Sequence, residues 1–304
     1  MAFAPVPPIP RELIDAAQSG ELVIFVGAGV SRLVKCPSWD QFADNVLKQL
    51  VPKHIDHYQL AQIATIRDPR KRLSIAKIIA QKRSMAIDYA AIFDIPLAPA
   101  NIFDILNALE CPFVTTNYDL HLKPESSRPK PEDDWRFFQR DHLLSTRLDN
   151  AGAVLHLHGC IKDPSSMIVT MRDYLDHYST RAVQTFLRDL FEKKTVLFMG
   201  YGLEEIEVLE YILKQGGAIE TINKDKPRIR RFIVQGFFDA DKHLFDFLYD
   251  YYRESFESEL IAFPKDHKDH EQLVDLIRDW AKSLAFKRME LADQAERLED
   301  EIRG

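Results

Sequence analysis

Six short apolar runs constrain the fold of this chain more than any other feature. Residues 21–26, 111–116, 153–157, 195–199, 231–235 and 259–263 are rich in β-branched and aromatic side chains and are flanked by helical patterns. Runs of this kind are strands buried on both faces, as in a parallel sheet covered by helices on either side. Four of them release distinctive segments at their carboxyl ends: GAGVS (27–31), TTNYD (115–119), HLHG (156–159) and FMGYG (198–202). Open α/β sheets bind ligands at that end of their strands. The chain is therefore read as α/β, a Rossmann-like parallel sheet with helices on both faces, holding a nucleotide pocket at the strand ends.

Length and composition bound the rest. The chain has 304 residues, enough for one large α/β domain or two smaller ones. A formal net charge of -7 gives no basic footprint for direct nucleic-acid binding. The opening MAFAPVPPIP is apolar but broken by prolines, and it lacks the basic start of a signal peptide. No stretch approaches the ~20 apolar residues of a membrane helix. Cys36, Cys111 and Cys160 form no CxxC pair and read as free thiols of a cytoplasmic protein.

Along the chain, the patterns divide into a leader over 1–10, a Rossmann-like domain over 11–265 and a C-terminal helical region over 266–304. A helix is expected over 37–50, with Ser38 as its N-cap and Trp39, Phe42, Val46, Leu47 and Leu50 on one face. Residues 52–100 are largely helical in pattern and punctuated by Pro69, Pro96 and Pro99, too long for a simple crossover and so a helical insertion. Another short helix is expected over 101–109. Residues 123–134 and 215–228 read as surface loops, the second mobile. Ile277, Ala281, Leu284, Leu291, Ala295, Leu298 and Ile302 form an apolar seam interrupted by Arg288. Such a seam serves either a coiled coil or an amphipathic helix packed on its own domain.

The strand-end motifs each carry two readings. Gly27-Ala-Gly29 before a helix suits a diphosphate, or is simply a tight strand-to-helix turn. The third glycine of the dinucleotide fingerprint is replaced by Arg32, and the chain has no P-loop. Asn117 and Asp119 can orient a ribose hydroxyl, a water or an amide, or they stabilise a turn. His156 and His158 share a side if the strand extends that far, and one of them can act as a general base near neutral pH. No zinc-ligand spacing surrounds them. Cys160 is a nucleophile only in principle, since nothing in the sequence activates it.

Taken in order, the four motifs resemble the sirtuin-like NAD-binding domain. More closely, they resemble its zinc-free bacterial branch, whose members destroy NAD in anti-phage defence. The Pro37-Ser-Trp39 helix start, the TTNYD segment, the VTMRDY segment over 169–174 and the late IAFP run with Asp269-His270 carry the likeness, which covers about residues 11 to 280. The resemblance implies an NAD hydrolase that cleaves the nicotinamide–ribose bond to give nicotinamide and ADP-ribose. NAD is then substrate, with no zinc. It implies that Gly27, Ala28, Gly29 and Ser31 cradle the diphosphate and that Asn117 positions the ribose and the attacking water. Asp119 would hold the carboxamide, His158 would act as the base on a ribose hydroxyl, and Gly200, Tyr201 and Gly202 would line the adenosine side. The branch often has Ser at the position of Gly202 and Asp at that of Glu205. The apolar seam from Ile277 to Ile302 points to a homo-oligomer or to docking of a partner, and an effector of this kind needs a regulatory partner (an ATPase, a nucleotide sensor or an Argonaute-type protein). The alternatives are an NAD- or ADP-ribose-sensing subunit of a defence complex and, given three unpaired cysteines where a deacylase zinc module needs four, less readily a protein deacylase.

Overall fold

In the computed structural model, residues 2–127, 130–202 and 230–284 are described. Seven strands form one parallel sheet: β1 (Leu22–Val26), β2 (Phe113–Thr115), β3 (Arg136–Phe137), β4 (Val154–His156), β5 (Thr195–Met199), β6 (Arg231–Phe237) and β7 (Ser258–Pro264). Their order is β3-β4-β2-β1-β5-β6-β7, every pair parallel. The chain runs from β1 to β2, out to the edge strand β3 and back to β4 between them, then crosses to the other side of β1 with β5. The strand order thus reverses between β1 and β5, where an open sheet leaves a crevice at its carboxyl edge.

The apolar runs are continuous because both faces are covered. Val23 and Phe25 of β1, with Val196 and Phe198 of β5, enter one core. There they meet α9 (Arg181–Lys193) through Phe186 and Leu190, and α10 (Lys242–Phe256) through Tyr252. Leu22, Ile24 and Val26 alternate into a second core with Leu13 of α1 (Arg11–Gln18) and Phe103 of α7 (Ile102–Asn107). Leu276, Ile277 and Trp280, from a helical stretch over 272–284, complete it. Ile277, Ala281 and Leu284 of the predicted seam are spent here, on the sheet. Its other four positions lie outside the described residues, as do the loop predicted over 215–228 and Glu205. The first residues also pack on the sheet. Gln272 Nε2 and Trp280 Nε1 donate to the Pro5 and Pro7 carbonyls at 2.8 and 2.9 Å, and the Phe3 amide donates to Asp239.

The insertion folds as α4 (His57–Ala64), α5 (Pro69–Lys82) and α6 (Ala90–Phe93), following α3 (Trp39–Gln49). Ser38 caps α3 in a reciprocal box with Gln41, as its position before Trp39 predicts. Phe42 and Val46 of α3 bury against Leu73 and Ala76 of α5 and Phe93 of α6, a third core separate from the sheet. Arg72 of α5 pairs with Asp40 and Asp44 of α3. Lys77 of α5 pairs at 2.8 Å with Asp173 of α8 (Met171–Tyr178). The insertion is thereby fixed over the carboxyl edge of the sheet.

Three local expectations differ from the structure. β2 stops at Thr115, whose hydroxyl donates to the Val26 carbonyl and accepts from the Asn117 amide, replacing the backbone ladder. Pro264 ends β7 from within rather than before it, since a strand's last residue need not donate. Residues 123–134 are not wholly a surface loop: Ser127 is buried and donates to the Gly152 carbonyl at 2.7 Å.

Candidate active site

Two cavities meet at the crevice. The inner chamber, of about 50 Å3, is lined from the sheet by Ala28, Ser31, Asn117, Asp119, His158 and Tyr201, and from the helices by Trp39, Phe42, Arg70, Phe93 and Tyr174. The outer groove, of about 620 Å3, shares Ala28, Trp39 and Tyr201 and adds Gly29, Gly200 and Gly202. Of the predicted site residues only Gly27 lines neither.

The glycine turn is stitched to the end of β5. The Gly27 amide donates to the Met199 carbonyl at 2.8 Å, and the Gly29 amide to the Gly200 carbonyl at 2.7 Å. A Cβ on Gly27 would stand 2.5 Å from the Gly200 carbonyl oxygen, and one on Gly200 would stand 2.4 Å from the Val30 nitrogen. These glycines therefore let two turns touch, and two of the amides expected to face a diphosphate are already committed. Ala28 begins α2 (Ala28–Leu33) and is exposed to both cavities.

Asn117, Ser31 and Asp119 form one network. Asn117 Nδ2 donates to the Gly27 carbonyl at 3.0 Å and to Ser31 Oγ at 2.8 Å. Ser31 Oγ in turn donates to Asp119 Oδ2 at 2.7 Å. Both amide protons are thus used inside the protein, which fixes the amide's orientation and leaves Oδ1 as the atom offered to a ligand. Ser31 sits between Asn117 and Asp119, where it orders the two polar groups. The second Asp119 oxygen accepts the His121 amide at 3.2 Å.

The two histidines have different surroundings, because β4 ends at His156. His156 is turned into the protein. Its Nε2 meets Arg136 Nη1 at 2.8 Å and its Nδ1 meets the Asn117 carbonyl at 3.0 Å. Since a guanidinium only donates, Nε2 accepts and Nδ1–H donates to Asn117. Burial, then the adjacent Arg136 charge, pushes His156 down to about 3. His158 lines the inner chamber, with Nε2 2.7 Å from the Tyr178 hydroxyl. Burial, then His177 and Arg70, hold its imidazole well below the usual range, so it is neutral. Cys160 is fully buried, and burial raises its thiol pKa, which removes it as a nucleophile.

Arg70 and Arg136 escaped the sequence reading, and Tyr174 entered it only as the end of the VTMRDY segment, with no role assigned. The Arg70 guanidinium lies 5.6 Å from the Trp39 ring centroid and 5.2 Å from that of Tyr174, so it closes the chamber between two aromatic faces. No spacing in the sequence joins α3, α5 and α8; only the tertiary fold does. Arg136 stands on a two-residue strand too short to show a period. Among the described residues, no group of three or more His, Cys, Asp or Glu side chains is placed to hold a metal ion. No helix among them is long and apolar enough to cross a membrane.

A parallel sheet with a glycine turn, an amide and an imidazole converging where its strand order reverses defines a Rossmann-like α/β protein with a ligand site at the switch point. Residues 112–252 match the SIR2-like domain family, a span that holds Asn117, Asp119, His158 and Gly200. The matched span covers just under half of this chain and holds three of the four motifs, TTNYD, HLHG and FMGYG, in keeping with their sirtuin-like resemblance. Over 198 residues it is 27% identical to the NAD(+) hydrolase ThsA of Bacillus cereus (strain MSX-D12), covering 63% of this chain and 39% of that protein. Over 212 residues it is 24% identical to Defense-associated sirtuin 2 of Bacillus subtilis, covering 65% of this chain and 19% of that protein. The chain thus spans well under half the length of either relative.

Proposed function

We propose that this chain is an NAD hydrolase that releases nicotinamide and ADP-ribose, acting as a regulated NAD-depleting effector in anti-phage defence. One observation carries the reading: an asparagine with both amide protons fixed by the protein and a neutral buried histidine line the same chamber. A ligand spanning both cavities would set its adenosine in the groove beside Gly200, Tyr201 and Gly202 and its nicotinamide riboside in the chamber. Trp39, Arg70 and Tyr174 wall the chamber around that group.

In this reading the bond from C1′ to the nicotinamide nitrogen breaks with its electron pair going to the ring, which leaves neutral. The positive charge passes to the ribose as an oxocarbenium-like state. Asn117 Oδ1 accepts a hydrogen bond from the attacking water, whose oxygen forms the new bond to C1′ and whose proton is lost to solvent. His158 withdraws proton density from a ribose hydroxyl, which stabilises the cation. Asp119 accepts from the carboxamide. Ala28 faces the diphosphate and Gly29 lines the groove beside it with its amide held by Gly200, while Gly27 and Ser31 hold the geometry around it. The reaction uses no zinc. Self-association and a regulatory protein partner belong to the same proposal, supported by the defence role in one relative's name.

Incubating the purified protein with NAD, with and without an acylated peptide and a chelator, separates the readings. Nicotinamide and ADP-ribose without peptide, at a rate the chelator leaves unchanged, is the expected result. Binding without turnover would favour a sensor, and peptide-dependent turnover a deacylase.

A further inference from the structure

The chamber wall carries a cation that no described carboxylate pairs with. Among the described residues, the charged side chains lining the chamber are Asp119 and Arg70. Asp119 is engaged inside the protein, where it accepts from Ser31 Oγ and from the His121 amide. Two other cations of α5 serve the fold: Arg72 pairs with Asp40 and Asp44, and Lys77 with Asp173. Arg70, on the same helix and half-buried, is different. Its guanidinium has no hydrogen bond or ion pair among the described residues. Its neighbours are the rings of Trp39 and Tyr174, with centroids 5.6 and 5.2 Å away. Stacking engages a guanidinium by its faces and leaves the N–H donors along its edge for a phosphate.

Its place in the wall selects the ligand. Trp39, with Ala28, Ser38 and Tyr201, lines both the chamber and the groove. A dinucleotide with adenosine in the groove and nicotinamide riboside in the chamber carries its diphosphate across that junction, and Arg70 stands there against Trp39. The Gly27 and Gly29 amides are bonded to the end of β5, so they do not neutralise the diphosphate. A lone guanidinium also opposes the chemistry. The nicotinamide ring is cationic before cleavage and the ribose is cationic during it, and like charges in a partly buried site repel. The 5′-phosphate of the nicotinamide ribose is the anion that arrives with the substrate and cancels that repulsion.

We infer that Arg70 binds the phosphate on the nicotinamide ribose, so that the chamber takes nicotinamide nucleotides and discriminates against the nucleoside. The inference rests on the proposed reading of the chamber as the nicotinamide riboside site, and not on turnover. Nicotinamide mononucleotide and nicotinamide riboside differ only in that phosphate. Their carbocyclic analogues, which cannot form the oxocarbenium-like state, allow calorimetric titration of the full chain without cleavage. The wild type is expected to bind the mononucleotide analogue about tenfold or more tighter than the riboside analogue. Arg70→Gln should lose that preference with riboside affinity unchanged, and Arg70→Lys should keep part of it. A preference unaltered in Arg70→Gln, or a wild type that binds the two alike or binds neither, overturns the phosphate role. Equal weakening of both ligands in Arg70→Gln shows a packing role and overturns it as well. If the preference behaves as expected while NAD releases no nicotinamide, the hydrolase reading fails and the phosphate role stands.

Discussion

At the scale of single residues, buried neutral histidines set how stability responds to acid. His156 is pushed down to about 3 and His177 to about 4, in both cases chiefly by burial. The unfolded chain binds protons on these rings below their ordinary pKa, while the folded chain does not until these lower values. Stability is therefore fully present above about 6.5 and is lost as pH falls toward 4, at about 1.4 kcal/mol per histidine per pH unit. Denaturant titrations at pH 7, 6 and 5 should show a falling midpoint, with a shallower fall in His156→Gln. A midpoint flat across that range would contradict the neutral, buried assignment. Residue roles were only partly legible in the sequence. HLHG offers two histidines two places apart, and nothing local ranks them. What separates them is Arg136, twenty residues away, which claims His156 and leaves His158 to the chamber.

Among elements, the strand ends explain the glycines. Gly200 has φ +62 and no room for a Cβ beside Val30, and Gly29 would meet the Gly200 backbone at 2.8 Å. Gly20 has φ +72 but nothing within 4 Å. Gly20→Ala should therefore cost only the backbone strain, about 1 kcal/mol. Gly200→Ala adds overpacking and should cost about 2–4 kcal/mol in a denaturant midpoint measurement. Equal losses at the two positions would show that contact between the turns does not matter. The six strands other than β3 could be read from the sequence because both faces are buried, which makes each run continuously apolar. β3 could not: it has two residues, one of them an arginine. The glycine motif identified the turn correctly, yet its amides face β5 as much as any ligand. That distinction depends on the pairing of β1 with β5 and is invisible along the chain.

For the whole molecule, the helices over 57–93 and the helical stretch over 272–284 bear on the site, the first through Arg70 and Phe93 in the chamber and the second through Leu273 in the groove. Arg72 and Lys77 tie the insertion to α3 and α8, so Arg70 reaches the chamber from a core of its own. The sheet leaves its carboxyl edge open to two cavities and places Asn117 and His158 in the inner one. In the proposed function these two side chains make the chamber an NAD-cleaving site. Its most direct test is the quantification of nicotinamide and ADP-ribose formed from NAD by the wild type, Asn117→Ala and His158→Ala, each first shown to be folded. Equimolar products are expected from the wild type, and a rate lower by at least about 100-fold in either variant. Turnover near the wild-type rate in both variants would contradict it.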